Sequence, residues 1–132
     1  MRIGLFGGTF DPIHLGHLVV AEQSREQGNL DQVWFIPAAQ PPHKPNLSVT
    51  PFDRRVEMVR LAIAGQEARF VISEIEKERP GPSYTLDTVR QLVEQYPEHQ
   101  FSLCLGGDCL PEMHAWYRPQ EICKLVPLLV AA

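Results

Sequence analysis

Residues 2–17 read Arg-Ile-Gly-Leu-Phe-Gly-Gly-Thr-Phe-Asp-Pro-Ile-His-Leu-Gly-His, and the fold is decided in this stretch. A short apolar run, RIGLF, passes directly into Gly7 and Gly8 and then into a segment of helical period that starts near Leu15. The same rhythm continues along the chain. QVWFIP at 32–37 precedes a helix from about Pro51, RFVIS at 69–73 precedes a helix from about Thr85, and FSLCLG at 101–106 is followed at the end by LLVAA at 128–132. Apolar runs of this length, without clean alternation and separated by amphipathic helices, are strands covered on both faces. The implied architecture is α/β, a doubly wound parallel sheet of five strands, with residues 1–132 forming a single domain.

The helices carry their own signals. Phe52, Val56, Val59 and Ile63 follow the 3.6-residue period, as do Leu86, Val89, Val93 and Tyr96 before Pro97 stops that segment. Thr50 reads as a cap for the second helix, with Pro51 suited to its first turn and Asp53 at capping-box spacing. Pro127, inside the last apolar run, places the start of the final strand after it or that strand at an edge.

Composition narrows the function classes. A chain of 132 residues with 44% hydrophobic and 21% charged residues has the balance of one globular core. Its net charge of −4 argues against a basic nucleic-acid surface, so bound phosphate must be held by a few local groups. Cys104, Cys109 and Cys123 are odd in number and form no CxxC pair, which favours buried thiols in a reducing cytoplasm over disulfides or a zinc knuckle. No apolar run reaches membrane-spanning length, and the stretch before Gly7 is too short for a signal peptide.

In a doubly wound sheet, ligands bind beyond the carboxyl ends of the strands where the strand order reverses. The candidate loops are therefore GGTFDPIHLGH, AAQPPHKPN, EIEKERPGPSYT and GGDCLPEMHAW. Gly7 and Gly8 allow a sharp turn with amides facing an anion. His14 and His17 stand three apart at the start of a helix, where unpaired N–H groups and the helix dipole favour phosphate. On the residues alone, this pair can also be read as satisfied helix-start histidines, and a metal site is a further alternative that lacks a compact third ligand.

GGTFDPIHLGH, from Gly7 to His17 without a gap, resembles the signature of the HxGH nucleotidyltransferases, enzymes that attach AMP or CMP to a phosphorylated acceptor. IPAAQPPHK, PSYTLDT and GGDCLPEMHAWY resemble, in order, segments of the nicotinate-nucleotide adenylyltransferases of that superfamily. A histidine rather than a threonine at the first HxGH position makes the chain look less like the pantetheine-phosphate branch.

The resemblance implies a Rossmann-like nucleotidyltransferase that transfers the adenylyl group of ATP, bound with Mg²⁺, to nicotinate mononucleotide, with no metal held by protein ligands alone. It assigns catalytic roles to His14, His17 and Lys44. It assigns ATP and phosphate contacts to Gly7, Gly8, Thr9, Phe10, His14, His17, Lys44, Gly106 and Asp108. Nicotinate mononucleotide falls to Gly8, Thr9, His43, Lys44, Ser83, Tyr84, Thr85, Asp108, Trp116 and Tyr117. The chemistry of those residues agrees. Pro41 and Pro42 stiffen the approach to His43 and Lys44. Ser83, Tyr84 and Thr85 open a helix whose N–H groups suit the nicotinate carboxylate, and Trp116 offers a face for a pyridinium ring, with core packing as its alternative. Arg55 also matches a family position but reads equally as an exposed helix arginine, and it is assigned no role.

The sequence departs from the family at its end. Relatives continue past the position of Ala132 with a basic segment, more helix and a second ATP-contacting motif of the ISxT type. The expectation is therefore a truncated chain with an apolar face exposed, and two further readings follow. One is a catalytically silent nucleotide-binding fragment able to pair as a homo-oligomer. The other is an adenylyltransferase that prefers nicotinamide mononucleotide.

Overall fold

The computed structural model describes residues 1–39, 49–77, 84–107 and 110–131. In chain order the elements are β1 (Arg2–Gly8), α1 (Leu15–Gln27), β2 (Gln32–Pro37), α2 (Phe52–Ala62), β3 (Phe70–Ile72), α3 (Thr85–Gln95), β4 (Gln100–Gly106), a 3₁₀ helix (Leu110–Ala115), α4 (Pro119–Leu125) and β5 (Leu128–Ala131). The strands form one sheet in the order β3-β2-β1-β4-β5, with every neighbouring pair parallel. The order runs outward from β1 in one direction and then reverses between β1 and β4. This is the five-stranded doubly wound sheet expected from the sequence.

Side-chain alternation sorts the core into two layers. Phe6, Val33, Phe35 and Phe70 pack on one face with Ala21 of α1 and Val59 of α2. Ile3, Leu5, Trp34, Phe101, Leu103 and Leu105 pack on the other with Leu86, Val89 and Leu92 of α3 and Ile122 of α4. Right-handed crossovers give this division: two successive steps from β1 toward β3 leave their helices on one side, and the return to β4 and β5 leaves theirs on the other. Gly4 is packed so closely that a Cβ would come within 2.6 Å of both Cys104 Sγ and Leu30 Cδ1.

Three local expectations change. The helix α2 begins one residue later than a Thr50 cap requires: Pro51 is the cap residue and no side-chain hydrogen bond caps the helix. The Thr50 backbone is engaged elsewhere, its N–H donating to Asp11 Oδ2 at 2.9 Å and its carbonyl accepting from Arg55 Nε at 2.7 Å. The thiols are not uniformly buried: Cys104 is enclosed, Cys123 is exposed, and Cys109 lies outside the described residues. The short α4, with Pro119 at its start and Ile122 as its buried residue, carries too little apolar period to stand out in the sequence. By contrast, β5 starts directly after Pro127 and lies at the sheet edge, and the proline carbonyl accepts from the Leu103 N–H at 2.8 Å. Exposed large apolar side chains include Leu15 and Val19, one turn apart on α1, and Val130 on that edge strand. No helix among the described residues is long and apolar enough to cross a membrane.

Candidate active site

The strand order reverses at β1 and β4, so the carboxyl ends of these two strands define the crevice in which a doubly wound sheet places its ligand. The chain leaves β1 differently from the expected Gly-Gly turn. Gly7 and Gly8 are still strand, paired with Ile36 and Pro37 of β2, and the bend comes at Phe10, whose φ is +50°. Phe10 is only 2% exposed. Its ring meets Phe6 edge-on at 5.6 Å and lies 5.7 Å from Phe35, beneath the loop. Gly8 leaves room for this wedge, because a Cβ there would sit 3.1 Å from two atoms of the Phe10 ring and press on it. Phe10 thus shapes the loop from below, while Gly7 remains exposed above it.

The wedge also seats the histidines. Phe10 meets His17 edge-on with ring centroids 5.1 Å apart, and His17 in turn stacks on His14 at 3.8 Å and 26°. The backbone N–H of His14 donates to His17 Nδ1 at 3.0 Å. That bond fixes the tautomer: Nδ1 is the acceptor, so the neutral ring carries its proton on Nε2. His14 is the N-cap residue of α1, with its carbonyl accepting from the His17 N–H at 3.0 Å, so both imidazoles sit at the positive end of a 13-residue helix. Gly16 explains itself by space. A Cβ at this position would lie 2.9 Å from His14 Cε1 and 3.0 Å from its Nδ1, so any other residue displaces the ring from its stack.

Arg55 is the residue that the sequence reading missed. It is 2% exposed, which excludes the exposed helix arginine that the sequence equally allowed, and it donates to three backbone carbonyls: Thr9 at 2.9 Å, Ala38 at 2.7 Å and Thr50 at 2.7 Å. Burial pushes the guanidinium pKa down, opposed by the charges of Asp11 and Glu76. Arginine nevertheless keeps its proton in proteins, and a bond from a charged donor contributes about 1.5–3 kcal/mol. Two further bonds draw the same segments together, from the Ala38 N–H to the Gly8 carbonyl at 2.9 Å and from the Thr50 N–H to Asp11. The one signal in the sequence was the match to a family position, because the three carbonyls lie 46, 17 and 5 residues away along the chain.

The other half of the crevice lies beyond β4. Tyr84, the N-cap residue of α3, packs its ring on Tyr117 with centroids 4.9 Å apart. This contact brings the start of α3, with Thr85 as its first residue, to the turn that follows the 3₁₀ helix and contains Trp116. Trp116 is half-buried and packs against the α3-side core, so the core-packing alternative is present in the structure. Gly106 ends β4 and is buried. His43, Lys44, Ser83 and Asp108 lie outside the described residues.

A model of the cytidylyltransferase-like family matches residues 5–132, nearly the whole chain. The chain belongs to the cytidylyltransferase-like family. Its relatives include proteins named probable nicotinate-nucleotide adenylyltransferase in Gloeobacter violaceus, 52% identical over 92% of this chain and 58% of that protein, and in Exiguobacterium sibiricum, 50% identical over 94% of this chain and 65% of that protein. The chain thus spans about three-fifths of the length of these relatives. Among solved structures, Plasmodium falciparum nicotinic acid mononucleotide adenylyltransferase complexed with NaAD superposes with a TM-score of 0.84 at 20% identity, covering 98% of this chain and 63% of the other. At that identity the likeness speaks for the fold. Within this member of the family, no group of three or more His, Cys, Asp or Glu among the described residues is placed to hold a metal ion.

Proposed function

We propose that this chain carries the adenylyl-transfer site of a nicotinate-nucleotide adenylyltransferase, joining nicotinate mononucleotide to the AMP part of ATP with release of pyrophosphate. The observation that carries this reading is the stacked His14–His17 pair at the switch point, in a chain about half identical to proteins named for that activity. Mg²⁺ enters with its substrate as MgATP, a hard cation held by phosphate oxygens and water.

The reaction suits what these residues offer. The nucleophile is the 5′-phosphate oxygen of the mononucleotide, largely ionised near neutrality because a phosphate monoester has a second pKa of about 6. It attacks the α-phosphorus of ATP in line. One P–O bond forms as the bond to the β-bridging oxygen breaks, and the electron pair leaves with pyrophosphate. No protein nucleophile or general base is required. The work left is to align two polyanions and to meet the charge that develops on the leaving group. In this proposal His17, with its proton on Nε2, and His14 beside it supply donors at the helix start, with Gly7, Gly8 and Thr9 lining the approach and Lys44 adding a cation. Phe10 acts from beneath as the wedge that seats His17. Gly106 and Asp108 border the nucleotide from the β4 side. The nicotinate group falls to His43, Ser83, Tyr84, Thr85, Trp116 and Tyr117, where helix-start N–H groups favour a carboxylate and an indole face favours the pyridinium ring.

The test is product identity. Incubation with ATP, Mg²⁺ and nicotinate mononucleotide, followed by mass spectrometry, is expected to give nicotinate adenine dinucleotide. A parallel incubation with nicotinamide mononucleotide is expected to give far less dinucleotide. Preferential turnover of the amide would replace the proposed acceptor, and absence of dinucleotide from both would remove the proposed activity from this chain.

A further inference from the structure

Thr9, Ala38 and Thr50 belong to three separate stretches of chain, joined pairwise by the bond from the Ala38 N–H to the Gly8 carbonyl and the bond from the Thr50 N–H to Asp11. The Arg55 side chain reaches all three. It is buried and donates to Thr9 in the first loop, Ala38 where the chain leaves β2, and Thr50 just before α2. Carbonyl oxygens in three segments converge on one guanidinium, whose donors are fixed in a plane; a lysine ammonium in the same place is a single point with a different reach. We propose that Arg55 is a positioning residue for the triphosphate side of the site, holding the His14–His17 loop and both ends of the 39–49 connection in one register through the carbonyls of Thr9, Ala38 and Thr50. The inference rests on the adenylyl-transfer reading above for its ligand, and on geometry alone for its mechanical part.

The arrangement is asymmetric, which makes it testable. Arg55 touches the segments after β1 and β2, whereas the Tyr84–Tyr117 contact joins α3 to the turn before α4 on the other side of the switch point. Loss of the clamp therefore weakens binding of ATP, whose His14–His17 donors stand on the clamped loop, more than that of the mononucleotide, which keeps the Tyr84–Tyr117 side of the crevice.

Calorimetry on the full chain and on Arg55→Lys, with ATP plus Mg²⁺ and separately with nicotinate mononucleotide, reads both affinity and stoichiometry. A simple loss of folded protein lowers the stoichiometry and leaves each Kd unchanged. The expected result is a Kd for ATP raised tenfold or more, a Kd for the mononucleotide raised at most about threefold, and unchanged stoichiometry. Equal weakening of both ligands, or no change in either, overturns the proposal. Should the unsubstituted chain bind neither ligand, the adenylyl-transfer reading fails by itself, and hydrogen exchange then decides the mechanical part. Faster exchange in Arg55→Lys confined to peptides spanning 7–17 and 49–55, with 100–106 unchanged, supports the clamp; uniform acceleration or none overturns it. Arg55→Gln, which keeps two donors without the charge, is used in the same way if the lysine variant does not fold.

Discussion

Gly16→Ala is expected to separate activity from stability. The new Cβ would fall 2.9 Å from His14 Cε1 and 3.0 Å from His14 Nδ1, where carbon atoms rest at about 3.5–4.0 Å, so the imidazole must withdraw by roughly 0.5–1 Å. His14 is exposed and its ring can rotate, so the fold need not yield. Losing the 3.8 Å stack on His17 removes about 0.5–1.5 kcal/mol, while alanine in place of glycine in a helix returns about 0.5–1 kcal/mol. The net change in stability is therefore within about 1 kcal/mol, a Tm shift of a few degrees at most. Catalysis has no such compensation. A displacement near 1 Å in a positioned group lowers turnover by about 10²-fold, equivalent to about 2.7 kcal/mol of barrier. Pyrophosphate release at saturating ATP and nicotinate mononucleotide, paired with a thermal melt, reads both quantities. A kcat within twofold of the unsubstituted chain at unchanged Tm would refute the claim that Gly16 exists to admit the His14 ring.

Other substitutions probe the fold and the second half of the crevice. Gly4→Ala should behave in the opposite way to Gly16→Ala: its Cβ would meet Cys104 Sγ and Leu30 Cδ1 at 2.6 Å inside the core, and overpacking of this kind lowers stability by about 1–3 kcal/mol in a denaturant titration. Trp116→Ala is expected to raise the KM for nicotinate mononucleotide about tenfold with a smaller change in the KM for ATP, measured by varying each substrate in turn. Cys104, pushed up to about 11 by burial against a smaller lowering by neighbouring Ser24, stays a thiol in the folded chain and should resist alkylation at pH 8, while exposed Cys123 reacts, as peptide mass mapping would show. The unfolded chain releases the Cys104 proton near pH 9 and the folded chain only near 11. Its contribution to stability is therefore complete below pH 9 and declines by up to about 3 kcal/mol as the pH rises to 11, which chemical denaturation across that range would register.

Much of this was readable from residues because local chemistry and global fold agree. The apolar runs at 2–6, 32–37 and 101–106 have no partner but a covered sheet, and the matched strands follow. His14 and His17 were found because their spacing puts both at one helix start, and the helix does begin at Leu15. What stayed hidden depends on contacts between distant segments. The burial of Arg55 comes from carbonyls contributed by three separate stretches of chain, which no periodicity encodes. The turn was assigned to Gly7 and Gly8 for their conformational freedom, but the strand continues through them and the positive φ falls on Phe10, held there by its aromatic neighbours. Thr50 looked like a cap, yet its backbone was already committed to Asp11 and Arg55.

The central claim is that the imidazole pair at the β1–β4 switch point serves the transition state of adenylyl transfer, and His17→Ala tests it most directly. Turnover at saturating ATP, Mg²⁺ and nicotinate mononucleotide should fall by about 10²–10³-fold, the effect of removing one preorganised donor, while calorimetry finds the Kd for ATP changed by only a few-fold. Losses of equal size in ATP binding and in turnover per free enzyme, with the rate at saturation untouched, would contradict that claim and reduce the pair to a grip on the ground-state nucleotide.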